Sequence, residues 1–267
     1  MFSQTPRIHP TSVIDPSAEL APNVRVGPFA TILGPVRLGD GCVVGPGAYL
    51  VGEVIAGEDN EFGAGCVIGE KAQHLKLHDA PGRVVIGRAN VFREHTTVHR
   101  STLPGQATVI GDHNFFMVNA HVGHDCVVGS HVVLANGAML GGHSVIEDRA
   151  FLSGNCGVHQ FCRVGKVALL SAMCSATTDV PPFAIMESRN RIVGVNVVGM
   201  KRAGYDQIEI QAVREAFRLL LTSRLLRQEV IKRIEQDYGD VPAISDLVQF
   251  LRESRRGICL TRARRVG

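Results

Sequence analysis

Apolar side chains recur at every sixth residue along most of this chain. Positions 8, 14, 20, 26, 32, 38, 44, 50, 56, 62 and 68 hold Ile, Ile, Leu, Val, Ile, Leu, Val, Leu, Ala, Phe and Ile. The register restarts at Ile86, Phe92 and Val98. It restarts again at Ile110 and runs unbroken to Leu170. Glycine often follows the apolar position, as at Gly27, Gly39, Gly45, Gly57, Gly63 and Gly69. The residue two places before it is often small, as at Ala18, Ala30, Cys42, Ala48 and Cys66. A period of six fits no α-helix, but it is three times the strand period of two. A short strand can therefore keep one face inward while the other residues turn a corner, where glycine accepts φ > 0. Three such units close a triangular coil of 18 residues, and stacked coils form a parallel β-helix.

Two stretches interrupt the count. Gly69 to Val84 contains Glu70, Lys71, Gln73, His74, Lys76 and His78, and Arg100 to Val109 contains Leu103-Pro104-Gly105. Both rejoin the register, so both read as external loops, the usual place for a solenoid's binding face. After Leu170 the repeat weakens. Asp179-Val180-Pro181-Pro182 reads as a turn, and Ile192 to Val198 as a last extended piece. Helical periodicity follows. Asp206 with Glu209 suggests a capping box, with an apolar stripe of Ile208, Ala212, Phe217, Leu220 and Leu221. Leu226 to Tyr238, ended by Gly239, and Ser245 to Arg256 read as two more helices. The expected architecture is an all-β solenoid over residues 1–200, with loops at about 70–84 and 100–109. A C-terminal α-helical domain follows over 201–267.

Composition agrees. The 267 residues include 29 Gly, 11 Phe, 3 Tyr and no Trp, which suits tight corners and slender interior side chains. The formal charge is +3, yet Leu251 to Gly267 carries six Arg against one Glu. The body is thus nearly balanced, and an extended nucleic-acid face is not expected. No run of 18 apolar residues is present, and Met1 to Pro10 lacks the apolar core of a signal peptide. Seven Cys with no CxxC pair argue against a disulfide scaffold or zinc knuckle. A cytoplasmic location is expected.

The candidate chemistry lies in histidines. Hexads beginning at Val122, Leu140 and Val158 are 18 apart and so share one face of successive coils. They carry His124, His143 and His159, and His99 and His121 belong to the same group. Three readings stay open on the residues alone: metal coordination, structural burial, or acid–base and substrate-binding duty. No carboxylate or thiol clearly completes a metal set, while imidazole titrates near neutrality and suits a general base. Asp125 can assist His124 only if a corner redirects one of the two side chains, because adjacent strand residues face opposite ways. Cys126 occupies an inward small-residue position, which points to core filling rather than nucleophilic duty.

The hexad pattern resembles that of the left-handed hexapeptide-repeat acyltransferases. Asn119-Ala120-His121-Val122-Gly123-His124-Asp125-Cys126 and Val158-His159-Gln160-Phe161 narrow the likeness. So do Gly69-Glu70, Gln73-His74-Leu75-Lys76, Thr97-Val98-His99-Arg100 and Asp179-Val180-Pro181-Pro182. Together they resemble the acyl carrier protein-dependent UDP-N-acetylglucosamine O-acyltransferases of lipid A biosynthesis, over nearly the whole chain. That resemblance implies a left-handed coil and a cytoplasmic homotrimer with active sites between subunits. It implies transfer of an (R)-3-hydroxyacyl chain from acyl carrier protein to the sugar 3-hydroxyl. No cofactor or metal is implied, since the donor rides on the phosphopantetheine of its carrier.

By the same resemblance, His124 is the general base, Asp125 orients it, and the Gly142 N–H forms the oxyanion hole. Lys76, His121, His143 and His159 position acceptor or donor, His74 and His99 belong to the same substrate-binding set, and Gln160 lines the nucleotide side. Asn196 and Arg202 serve the nucleotide and its phosphates, and Ala172 is the chain-length ruler. Three positions depart from the family pattern: His74 replaces an Asp, Val198 an acid, and Ala203 a second Arg. Alternatives are N-acyl transfer to a 3-amino analogue or another nucleotide amino sugar, a metal-dependent γ-carbonic-anhydrase-like enzyme, and a solenoid that only binds.

Overall fold

A computed structural model describes residues 7–74, 82–223 and 225–259. Among these, three sheets of nine, eight and ten strands form the faces of a prism. Strand pairing is parallel except in the terminal hairpin of Ala184–Ser188 with Arg191–Val195. Successive hexads visit the three sheets in turn, so each strand pairs with the one a full coil later. Val122 thus lies beside Leu140, and Leu140 beside Val158. The interruptions are looped out and the hexad pairing carries across them, for Ile68 still pairs with Val98 and Val98 with Val122, with a single register shift at Gly69 that pairs Glu70 with His99. The chain rejoins at Arg83–Ile86 and at Ala107–Ile110. Part of the first loop, 75–81, lies outside the described residues.

From Val26 to Leu170 every hexad apolar position is buried. Ile8 is exposed, and Ile14 and Leu20 are only partly covered, because fewer coils pack against them at the solenoid's end. The corners differ from expectation. Of the glycines that follow the apolar position, only Gly69 has positive φ. Their requirement is close approach instead: a Cβ on Gly45 would lie 2.8 Å from the Phe62 carbonyl oxygen, and one on Gly63 2.6 Å from that of Phe92. The left-handed corner comes three residues after the apolar position. It is held mostly by non-glycine residues, including Asn119, Asp125, His131, His143, Arg149, Asn155 and Phe161. Stacked coils over-determine these conformations, each of which costs an L-residue roughly 1–2 kcal/mol.

The interior also admits more than slender aliphatics. Phe62, Phe92 and Phe116 form a column with ring centroids 5.2 and 5.0 Å apart. Beside it runs a buried ladder of Asn60, Asn90 and Asn114, one on each of three coils. Asn90 Nδ2 donates to Asn60 Oδ1 at 2.9 Å, and Asn90 Oδ1 accepts from the Asn114 N–H at 2.9 Å. The seven Cys are all buried free thiols.

Near the C-terminal end, Asp179 and Val180 are not part of the turn. They bridge to Ile258 and Val164, and the turn begins at Pro181-Pro182. The extended piece stops at Val195. Val197–Arg202 is a short helix, α1, capped by Asn196, so Val197 and Val198 are helical. Helix α2, Gln207–Thr222, starts at the expected capping box. It buries Ile210, Val213, Phe217 and Leu220, whereas Ile208 faces out. Helix α3 spans Arg227–Tyr238. Helix α4 spans Pro242–Glu253, starting earlier than Ser245 because Pro242 fits the first helical position. Lys166 pairs with Asp246, and the Arg163 guanidinium lies 4.4 Å from the Phe250 ring centroid. These contacts seat α4 against the last coils. Among the described residues no helix is long and apolar enough to cross a membrane.

Candidate active site

The strands His121–Val122, Met139–Leu140 and Gly157–Val158 lie side by side. Each leads into a corner, and the histidines gather there. His121 projects outward from its strand. His124 sits one step before a corner and Asp125 on it. The left-handed φ of 59° at Asp125 turns its carboxylate back toward its neighbour. Adjacent residues that a straight strand would separate are thus brought together: His124 Nδ1 lies 2.7 Å from Asp125 Oδ2. An ionised carboxylate only accepts, so Nδ1 carries a proton, and in the neutral ring the lone pair is then at Nε2.

Burial pushes the Asp125 carboxyl upward. Hydrogen bonds from Ser101, His124 and Thr102 outweigh that and hold it below the ordinary carboxylate value. Its backbone N–H donates to Thr108 Oγ1 at 2.8 Å. His143 packs edge-on to His124, with centroids 5.1 Å apart, and stacks on Phe161 at 4.6 Å. Its Nε2 is 3.7 Å from Asp125 Oδ2. Burial lowers the proton affinity of His143, with the Asp125 charge opposing. His74 from the first loop stands edge-on to His124 at 5.8 Å. His99 and His121 meet at 90° and 5.1 Å, and His121 Nδ1 is 2.7 Å from Thr97 Oγ1. Burial, reinforced by His121, pushes His99 down to about 4, so it is neutral at pH 7.

These groups border an open groove of about 530 Å³, the usual size for a small-molecule site. His74, His99, His121, His124, Gly142, His159 and Gln160 line it; Asp125 and His143 are not among the lining residues but contact His124. Gly142 faces the base, for a Cβ there would lie 2.6 Å from His124 Nε2. Among the described residues, no acceptor takes the Gly142 N–H. Lys76 lies outside the described residues. Ala172 and Arg202 are exposed and do not line the groove. Asn196 is buried, and its amide is already used within the subunit: it accepts from the Gly199 N–H at 2.9 Å and donates to the Val167 carbonyl at 2.8 Å.

His124, Asp125 and His143 each offer one atom within 4.8 Å of the others, but the set fits a metal poorly. Tetrahedral donors at ~2.1 Å from an ion stand about 3.4 Å apart. His124 Nδ1 and Asp125 Oδ2 are at hydrogen-bond distance, and both carboxylate oxygens take other donors. Cys126 is buried, its Sγ is 3.2 Å from the Gly141 carbonyl, and burial pushes its thiol up to about 12. It is therefore a poor nucleophile.

Sequence reasoning assigned no role to several contributors. Ser101 and Thr102 hold Asp125, Thr97 holds His121, and Phe161 lies under His143. Arg256, beyond α4, places Nη2 3.3 Å from His159 Nδ1. The signal for Ser101 and Thr102 was present. Because Val98 pairs with Val122, residues just past His99 must lie beside the His124 corner.

Comparison with known proteins adds independent evidence. The profile described as domain 2 of UDP N-acetylglucosamine O-acyltransferase matches residues 179–259. The bacterial transferase hexapeptide profile matches 17–52 and 107–142. The acyl-[acyl-carrier-protein]–UDP-N-acetylglucosamine O-acyltransferase of Anaeromyxobacter sp. (strain Fw109-5) is 40% identical over 253 residues, 94% of this chain and 98% of that protein. The enzyme of the same description from Burkholderia lata is 38% identical over 259 residues, again 94% and 98%. Crystal structures of UDP-N-acetylglucosamine acyltransferases overlap the fold closely. That from Bacteroides fragilis gives a TM-score of 0.90 at 31% identity, covering 93% of this chain and 98% of the other. That from Moraxella catarrhalis gives 0.88 at 32%, covering 95% and 99%. The overlap takes in coils and C-terminal helices alike, and the β-helix is left-handed.

Proposed function

Because the chain belongs to the acyl-[acyl-carrier-protein]–UDP-N-acetylglucosamine O-acyltransferase family, we propose that the histidine ridge is its acyl-transfer centre and His124 its general base. The protein is an acyltransferase of lipid A biosynthesis: it moves an acyl chain from acyl carrier protein to an oxygen of UDP-N-acetylglucosamine. The finer assignments are an (R)-3-hydroxyacyl donor and the sugar 3-hydroxyl as acceptor. The observation that carries the assignment of the base is the 2.7 Å contact of His124 Nδ1 with Asp125, with the opposite nitrogen facing Gly142 and the groove.

The reaction follows from that geometry. The sugar hydroxyl gives its proton to His124 Nε2 as its oxygen attacks the thioester carbonyl carbon. A C–O bond forms and the carbonyl pair moves onto oxygen. The Gly142 N–H donates to that oxyanion, and Asp125 stabilises the imidazolium. Collapse breaks the C–S bond, and the departing phosphopantetheine thiolate takes the proton back from His124. No covalent enzyme intermediate is needed. Burial, reinforced by His124, lowers the proton affinity of His121 as burial does that of His99, and uncharged imidazoles suit uncharged sugar groups. Lys76, His74, His143, His159 and Gln160 position the substrates. Asn196, Arg202 and Ala172 are assigned by the motif match, not by position in this groove.

The working form is a homotrimer. A groove walled by one subunit is open on its outer side, and the exposed Met139, Phe151, Phe161 and Met173 offer apolar surface for a neighbouring copy. The solenoid over 1–200 would carry this contact, with the helical region over 201–267 covering its end. The test is a substrate matrix: UDP-N-acetylglucosamine and its 3-amino analogue against 3-hydroxyacyl carrier proteins of several lengths. The expected product is the 3-O-ester, formed by a trimer. Amide formation in preference to ester, or full activity as a monomer, contradicts the corresponding assignment.

A further inference from the structure

We propose that Ser101 and Thr102, both in the second inserted loop, are positioning residues that clamp the Asp125 carboxylate and thereby fix the tautomer of His124. The inference rests on the reading of His124 as base. The hexad corner supplies Asp125 with a direction but with few donors of its own, and the loop supplies the rest. Ser101 Oγ donates to Asp125 Oδ1. Thr102 Oγ1 donates to Oδ2 at 2.7 Å, and the Thr102 N–H lies 3.3 and 3.2 Å from the two oxygens. With His124 Nδ1 on Oδ2, both oxygens are engaged.

The direction of these bonds is fixed. Ser101 Oγ accepts from the Leu103 N–H at 3.1 Å. Its proton is therefore directed to Asp125, much nearer than the Leu103 carbonyl at 3.5 Å. Ser101 and Thr102 are buried, so water cannot readily replace either hydroxyl. The loop is itself anchored to neighbouring coils, through the Arg100 N–H on the Glu70 carbonyl and the Ser101 N–H on that of Arg83. A carboxylate surrounded by donors must act as an acceptor. It cannot hold the His124 proton as its own, and the imidazole is kept with Nδ1–H toward Asp125 and the Nε2 lone pair toward the groove.

Without the clamp, the carboxylate is both more mobile and more basic. The dyad then takes up its inactivating proton at higher pH, and fewer molecules hold the productive tautomer. Among the described residues, the titratable groups that act on the dyad are His143, 3.7 Å from Asp125, with His74, His99 and His121 near His124 and the buried Cys126 thiol beside Asp125. None of them is altered by the substitutions below.

The experiment uses the full-length enzyme with both substrates, comparing Ser101→Ala, Thr102→Val, the double variant and Thr102→Ser. Thr102→Val keeps the shape and the backbone N–H but removes the hydroxyl. The expectation is a loss of kcat of about tenfold in each single variant, larger in the double. Both KM values should stay within about twofold, and the acid limb of the kcat–pH profile should move to higher pH. Thr102→Ser should restore most of the turnover. A merely structural role predicts lower thermal stability with an unmoved acid limb. An unchanged acid limb and kcat in Thr102→Val, or a Thr102→Ser enzyme as impaired as Thr102→Val, overturns the inference. If Ser101→Ala fails to fold, the Thr102 pair decides alone. His124→Ala separates the two readings: wild-type turnover there overturns the base itself, whereas an inactive His124→Ala beside a normal Thr102→Val overturns only the clamp.

Discussion

Replacing Gly142 by Ala tests the base without removing it. Gly142 does not have positive φ, so Ala meets no backbone penalty. Its Cβ, however, would lie 2.6 Å from both His124 Cε1 and Nε2, and 3.1 Å from Nδ1. Ordinary contact begins near 3.4 Å, so the imidazole must withdraw by about 0.8 Å or rotate. Either movement strains the 2.7 Å bond to Asp125 and carries Nε2 away from the acceptor hydroxyl. A displacement of ~1 Å in a reacting group costs on the order of 10² in rate, or about 2.7 kcal/mol in the barrier. The backbone N–H assigned to the oxyanion is retained, so the loss reports on the base. The assay is steady-state kcat with both substrates saturating, with Gly194→Ala as control because a Cβ there meets nothing within 4 Å. Gly142→Ala should lose about a hundredfold in kcat while unfolding at nearly the wild-type temperature. Wild-type kcat in Gly142→Ala would refute the placement of His124 Nε2 against the reacting atoms.

Two further predictions concern stability. Folded His99 takes a proton only near pH 4, whereas its ordinary value is 6.5. The unfolded chain therefore binds the extra proton between those values, and stability falls as pH drops through that window. At 1.36 kcal/mol per tenfold in proton affinity, this amounts to roughly 3 kcal/mol. His99→Gln should flatten the fall in urea midpoint between pH 6.5 and 4, and an equally steep fall in the variant would contradict the account. Asn90→Ala leaves the Asn114 N–H without its acceptor inside the ladder. It should lower stability by about 1–3 kcal/mol, read as a denaturant midpoint, with activity per folded molecule unchanged. A neutral substitution would show that the ladder contributes nothing.

Much of this structure is legible from residue order because the solenoid is quasi-one-dimensional. Once the period of six is recognised, it fixes which side chains point inward from Val26 to Leu170. It also places the hexads of His124, His143 and His159 on adjacent coils. Corner conformation is less visible. The left-handed position tolerates Asp125, His143 and Phe161 alike, because stacking of neighbouring coils enforces it whatever the residue, and composition carries no trace of that. For the same reason the His124–Asp125 contact looked geometrically awkward in sequence yet is direct in three dimensions. The Asn60–Asn90–Asn114 ladder hid in positions expected to hold small apolar residues. Ser101, Thr102 and Arg256 reach the site from an insertion and from the chain beyond α4. Their placement depends on tertiary hydrogen bonds rather than on any local period. The start of α4 at Pro242 and the short helix α1 are matters of capping, where one residue shifts a boundary.

The account turns on His124 as the base of acyl transfer. Its most direct test is the single-turnover rate of His124→Ala, with the 3-hydroxyacyl carrier protein and UDP-N-acetylglucosamine both saturating and the trimer verified intact. The account predicts loss of the chemical step by at least ~10²–10⁴-fold, the usual span for a positioned base, with substrate binding retained. A variant that folds, binds both substrates and turns over at the wild-type rate would contradict it.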